Sequence, residues 1–130
     1  MKTTTNKKIG NDFESELCEM FAAKGFWAHN FAQKSSGQPC DIIVQRDNDT
    51  YLIDAKVCSE GYFKLSRVED NQINAMKLFY QCGGNSGYFA LKLGEDVFLL
   101  PLSLLLRLPE SKISEKTIRS RGITFEEFTR

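Results

Sequence analysis

The sequence predicts an α/β (α+β) domain with a mixed sheet and helices on its faces, in the order α-β-β-β-α-β-β, followed by a helical tail. Three observations carry this expectation. Residues 11–24 place Phe13, Leu17, Met20 and Phe21 at helical spacing, and Gly25 follows. Residues 39–57 read as two short strands joined by a polar turn. Residues 66–81 form a second amphipathic segment, ended by Gly83-Gly84 and followed by two strand-like runs.

Composition bounds the rest. At 130 residues, 42% hydrophobic and 26% charged, the chain is one globular domain able to bury a core. Its formal net charge is +0, which argues against nonspecific nucleic-acid binding through bulk charge but leaves room for a local basic strip beside an acidic site. No apolar run approaches a membrane span, and no signal peptide opens the chain. Cys18, Cys40, Cys58 and Cys82 form no C-x-x-C pair, and one histidine, His29, completes no zinc set. Free thiols in a cytoplasmic protein follow. Residues 1–9 read as a flexible basic arm and residues 10–130 as the single domain.

In chain order, Asn11 or Asp12 caps the first helix. Glu16 and Glu19 lie on its outer side, whereas Glu14 lies one turn before Leu17 and Cys18 and flanks the apolar stripe. Residues 26–31 form an aromatic strand in which Trp27 and His29 read as structural. Residues 33–38 form a polar loop whose Lys34, Ser35 and Ser36 suit either phosphate contact or plain loop chemistry. Ile42, Ile43 and Val44 begin the hairpin. In its second strand Tyr51, Ile53, Ala55 and Val57 make a core face, and Leu52, Asp54 and Lys56 make the other. Cys58 falls on the side of Lys56 and lines the same cleft.

The motif Ser66-Arg-Val-Glu69 is a capping box opening the second helix. Ile73, Met76 and Tyr80 form its inner stripe, flanked by Gln72. Residues 87–93 and 97–101 are strands around a turn, and residues 102–108 a short apolar helix. From Pro109 the chain is weakly patterned until Ile123 and Phe125.

Asp41 stands at the mouth of the first hairpin strand, within reach of Asp54. Two converging carboxylates repel, and a divalent cation with oxygen ligands is the usual answer. A cross-strand ion pair explains the Asp54-Ala55-Lys56 triplet taken alone.

Together, Glu14 on a helix, Asp41 at a strand start, Asp54 and Lys56 after a hairpin, and Gln72 on the next helix give the pattern E…D…(D/E)-x-K…Q, with twelve residues between the aspartates. The chain resembles the PD-(D/E)xK nucleases. More specifically, it resembles Holliday junction resolvases. Gly10-Asn-Asp-Phe-Glu14-Ser-Glu-Leu17, followed by Lys24-Gly25-Phe26, looks like the archaeal Hjc type. Phe63-Lys-Leu65, Asn71-Gln72, Gly83-Gly84, Phe98-Leu-Leu-Pro101 and Ile118-Arg-Ser-Arg-Gly-Ile-Thr-Phe-Glu-Glu127 look like the bacterial RecU type. The likeness covers most of the chain after residue 9. Three features depart from it. The Pro-Asp pair is spread as Pro39-Cys40-Asp41, the second acid is Asp54 where Glu is commoner, and the RecU stalk insertion is absent.

The resemblance implies a restriction-endonuclease-like core and a metal-dependent DNA endonuclease. Mg²⁺ or Mn²⁺ would be held by Asp41, Asp54 and the carbonyl of Ala55, with Glu14 assisting directly or through water. Lys56 would position or help deprotonate the attacking water, and Gln72 would orient Lys56 or a phosphate. Lys34, Ser35, Ser36, Lys64 and Arg67 would contact DNA, with Lys7, Lys8 and Lys77 either a wider strip or scattered surface charge. The implied partner is a branched, four-way DNA junction, nicked on two strands by a homodimer. The rivals are another nuclease of the superfamily, of restriction, repair or tRNA-intron type, and a nuclease-like module that binds nucleic acid without cutting it.

Overall fold

The structure is a computed structural model and describes residues 6–31 and 38–130. Its elements run α1 (Asn6–Ala23), β1 (Trp27–Asn30), β2 (Ile42–Arg46), β3 (Asp49–Val57), β4 (Tyr62–Lys64), a 3-10 turn (Leu65–Arg67) and α2 (Asp70–Gln81). After these come β5 (Tyr88–Leu93), β6 (Asp96–Pro101), α3 (Leu102–Arg107), β7 (Lys112–Ser114), α4 (Glu115–Arg121), β8 (Ile123–Thr124) and α5 (Phe125–Phe128). Six strands form one mixed sheet in the order β1-β2-β3-β5-β6-β8. The β3–β5 pair is parallel and its neighbours are antiparallel. The β4 and β7 strands form a separate two-stranded ribbon. The predicted fold class and the order of its main elements therefore hold. Among the described residues, no helix is long and apolar enough to cross a membrane.

Both faces of the sheet are covered. Phe13, Leu17 and Phe21 of α1 pack with Ile42, Val44, Ile53, Ala55, Ala90, Leu99 and Phe125. Burying each of these side chains other than the two alanines stabilises the fold by about 1.5–3 kcal/mol. Leu52, Phe89, Leu91 and Leu100 face the opposite way, against Phe63, Met76, Leu104, Leu105, Ile113 and Ile118. The β3 residues thus alternate as expected, but the Asp54 side is a second core rather than an open face. Met76 occupies the space where a Cβ on Gly87 would lie, which lets α2 seat tightly at the start of β5. Gly25, at φ 86°, turns the chain out of α1.

Several local expectations change. The first helix begins at Asn6, so residues 6–9 are helical and Asn11 and Asp12 lie inside the helix, where Lys8 Nζ pairs with Asp12 Oδ2 at 2.9 Å one turn on. Ser66 belongs to the 3-10 turn. The α2 N-cap is Glu69, whose backbone N–H donates to Gln72 Oε1 at 3.0 Å. Tyr80 points outward at 62% exposure, and Phe79 packs inward in its place. Trp27 and His29 are exposed on the sheet's edge strand, with near-parallel rings whose centres lie 6.0 Å apart. The weakly patterned tail supplies β7, α4 and β8, and β8 closes the sheet beside β6.

Candidate active site

The β2–β3 register fixes the relation of the two aspartates. The last ladder pair is Ile42 with Ile53, so one step further sets Asp41 opposite Asp54. Directly opposite residues point to the same face, so the two carboxylates meet. Where the β2 backbone turns away, the Asp41 side chain replaces it: Asp41 Oδ2 accepts the Ala55 backbone N–H at 2.9 Å. The Asp41 N–H still donates to Ile53 O at 3.2 Å, which ties the residue to the sheet from two directions.

Asp54 is almost fully buried under α2. Gln72 Nε2 donates to its Oδ1 at 3.0 Å, and Lys56 Nζ lies 3.1 Å from its Oδ2. The lysine contact is an ion pair without hydrogen-bond direction, so Oδ2 is buried with no directed donor among the described residues. Burial and then the adjoining Asp41 push the Asp54 carboxyl up to about 7, against the pull of the Lys56 ammonium. Of the two partners expected for Gln72, Lys56 or a phosphate, the protein supplies neither here: the amide donates to Asp54. Its own amide oxygen is held by the α2 N-cap, which fixes the side chain at both ends.

Asp41 and Lys56 open onto a cleft of about 570 Å³ whose walls also include Glu14, Ala55, Lys64 and Arg67, with Asp54 buried behind them. Glu14 is 6% exposed and faces this cleft from α1. Glu16, two residues on, is exposed and meets Lys92 Nζ at 3.3 Å. Lys7 reaches the cleft from the first turn of α1. Lys8 and Lys77 do not line it. Arg67 donates from Nη1 to Val57 O at 3.0 Å at the cleft's edge. Cys58 lines the cleft as expected, and burial pushes its thiol up to about 11, so it stays protonated. Lys34, Ser35 and Ser36 lie outside the described residues.

The donor set suits a hard divalent cation: two touching carboxylates, one of them buried with an oxygen that lacks a directed donor. Among the described residues no three Asp, Glu, His or Cys side chains gather closely enough to hold an ion by themselves. Glu14 thus shares the cleft wall without closing into one cluster with the aspartates. Tyr62 also lines the cleft, beside Lys64. Sequence reading missed it, although the alternation of Tyr62, Phe63 and Lys64 would have placed it on the Lys64 side.

Comparison with known proteins agrees with this geometry. The family model described as archaeal Holliday junction resolvase (Hjc) matches residues 5–130. Among solved structures, the Hjc of Archaeoglobus fulgidus, described as a Holliday junction resolvase from an archaeal hyperthermophile, superposes with a TM-score of 0.75. It is 26% identical, with 93% of this chain and 100% of that chain covered. A comparison with curated proteins returns no match. Of the two branches in the sequence resemblance, the family model and the superposition return the archaeal one. The chain belongs to the archaeal Holliday junction resolvase (Hjc) family of junction-resolving nucleases.

Proposed function

We propose that the protein is a divalent-metal-dependent endodeoxyribonuclease that makes paired nicks in four-way DNA junctions as a homodimer. The observation that carries this reading is the contact of Asp41 with Asp54 beside Lys56 at the wall of an open cleft. A module that only bound nucleic acid would gain nothing from paired carboxylates, which repel phosphate.

Asp41, Asp54 and the Ala55 carbonyl would hold Mg²⁺ or Mn²⁺, with Glu14 reaching it through water. When bound, the ion supplies charge neutralisation at the scissile phosphate and lowers the pKa of a coordinated water. The remaining work falls to the chain itself. Asp41 is kept in place by the Ala55 N–H, and Asp54 by the Gln72 amide, so both acids are preorganised before substrate arrives. The Lys56 ammonium, anchored beside Asp54, would position the attacking water and donate to the phosphate oxygens as negative charge builds on them. Lys64 and Arg67 hold the DNA backbone at the far wall of the cleft. Lys34, Ser35 and Ser36 would add further backbone contacts. One chain carries one such set, so two symmetric nicks require two chains across a two-fold axis.

The test is incubation with a labelled four-way junction, a matching duplex and a tRNA, with and without Mg²⁺. Metal-dependent nicking of the junction in preference to the other two is expected. Equal cutting of duplex, or cutting of tRNA alone, overturns the substrate assignment.

A further inference from the structure

The β4–β7 ribbon sets two lysines against each other. Its register pairs Tyr62 with Ser114, Phe63 with Ile113 and Lys64 with Lys112. Phe63 and Ile113 are buried in the second core, so Tyr62, Lys64, Lys112 and Ser114 share the outer side. Both lysines are exposed, and neither joins a salt bridge among the described residues. Like charges directly opposite on a ladder destabilise it. A glutamate at either position would turn the pair into a favourable one. The ribbon therefore carries a positive doublet that its own fold does not need.

The surroundings say what the doublet faces. Tyr62 and Lys64 line the cleft that holds Glu14, Asp41 and Lys56, and Arg67 lines it too. Lys112 Nζ lies 4.7 Å from the centre of the Tyr62 ring, a diagonal cation–π contact that fixes its ammonium on the cleft side of the ribbon. Glu60 accepts the Tyr62 hydroxyl at 2.8 Å and bounds the positive surface at that end. Ser114 is engaged in capping α4, where its Oγ accepts from the Thr117 N–H, so it is not a ligand. Backbone bonds from Leu65 to Ser111 at 2.9 Å and from Glu115 to Gly61 at 3.0 Å clamp the ribbon at both ends. The doublet is thus set in place before binding, which lowers the ordering cost of using it.

We propose that the outer face of this ribbon is a second phosphate-binding subsite, in which Lys64 and Lys112 together grip a backbone phosphate of the DNA arm leaving the cleft. This rests on the reading of the cleft as a nuclease site. A phosphodiester placed against both ammonium groups converts their mutual repulsion into shared attraction, and Tyr62 keeps Lys112 aimed at it. Neither lysine is among the groups that would hold the metal or activate water, so the subsite contributes to affinity and to the path of the arm.

The experiment measures binding of a labelled four-way junction in EDTA across a salt series. Wild type, Lys64→Gln, Lys112→Gln, the double variant, Lys64→Arg and the distant control Lys24→Gln are compared. Wild type is also assayed for junction cleavage with Mg²⁺. Removing one phosphate interaction lowers the slope of log K against log salt by about 0.9. The single Gln variants should lose roughly that slope, the double variant no less than either single, and Lys64→Arg and Lys24→Gln should match wild type. Because the substitution removes a repulsion, Lys64→Gln should melt no lower than wild type, which separates weaker phosphate binding from unfolding. If wild type cuts the junction and the double variant keeps the wild-type slope, the subsite is wrong while the nuclease reading stands. If wild type neither binds nor cuts, both fall.

Discussion

Gln72 Nε2 donates to Asp54 Oδ1 at 3.0 Å, from a side chain whose other end is locked by the backbone N–H of Glu69. A helix N-cap and a buried carboxylate thus share one amide. Rotation of Gln72 would break two bonds at once, so the α2 terminus sets the direction in which Asp54 points.

The Gln72→Ala substitution should therefore act through Asp54. We expect cleavage at limiting Mg²⁺ to fall about 10–100-fold, the range seen when a ligand's supporting partner is removed. The Mg²⁺ needed for half-maximal rate should rise, while junction KM changes little. Stability should drop by about 1–3 kcal/mol, because a buried carboxylate oxygen loses its donor. Rates measured over a Mg²⁺ series check this. A drop in melting temperature with an unchanged Mg²⁺ dependence would show Gln72 to be structural alone.

The metal-free protein should carry a stability penalty at Asp54. Its carboxyl is raised from 3.8 to about 7 by burial and by Asp41. A raised acid stabilises the fold below its unfolded pKa, and that contribution is lost as pH rises through the folded value. Thermal melts in EDTA should thus show stability declining from about pH 4 to about pH 7. Asp54→Asn cannot titrate, so its melting temperature should pass that of wild type near neutral pH and follow a flatter profile. Added Mg²⁺ should raise wild type and leave Asp54→Asn nearly unmoved. Parallel profiles for the two proteins would contradict the electrostatic account.

Glu14 and Glu16 stand two residues apart on α1 but face different surroundings. Glu14 is buried at the cleft, whereas Glu16 is exposed and touches Lys92. Glu14→Gln should lower the cleavage rate at least tenfold, on the order of one charge-assisted hydrogen bond. Glu16→Gln should stay within about twofold, as expected for an exposed pair. The same cleavage assay run on both variants decides this, and equal losses would refute the placement of Glu14.

How much of this was legible in the sequence follows from what each signal depends on. The pairing of Asp41 with Asp54 was readable, because hairpin register and strand alternation depend on local spacing alone. Glu14 was readable from helical phase. The partner of Gln72 was not, since reaching Asp54 depends on how α2 crosses β3, which is a tertiary fact. Ser66 matched a capping pattern, yet the cap fell at Glu69, because Leu65–Arg67 closes as a 3-10 turn. Tyr80 fitted the α2 stripe by spacing, but the inward position went to Phe79, which packs against Gly84. The β4–β7 ribbon escaped notice because its two strands are three residues each and lie far apart in sequence. Pairing at that separation leaves no local trace beyond brief alternation.

A single site per chain makes the oligomeric state a prediction in its own right. Sedimentation should give a dimer of the 14.8 kDa chain, and competition should favour the junction over duplex, with affinity falling steeply in salt. A monomer that binds duplex as tightly as a junction would contradict the paired-nick reading.

Everything proposed for this protein turns on Asp41 and Asp54 forming a metal-dependent cutting centre. The most direct measurement compares wild type and Asp54→Asn on a labelled four-way junction, each with and without Mg²⁺, with binding followed in parallel. Paired nicks by wild type in Mg²⁺ alone are expected, with no cutting by Asp54→Asn and binding retained or tightened in the variant, since one repulsive carboxylate is gone. Full cleavage of the junction by Asp54→Asn in Mg²⁺ would contradict it.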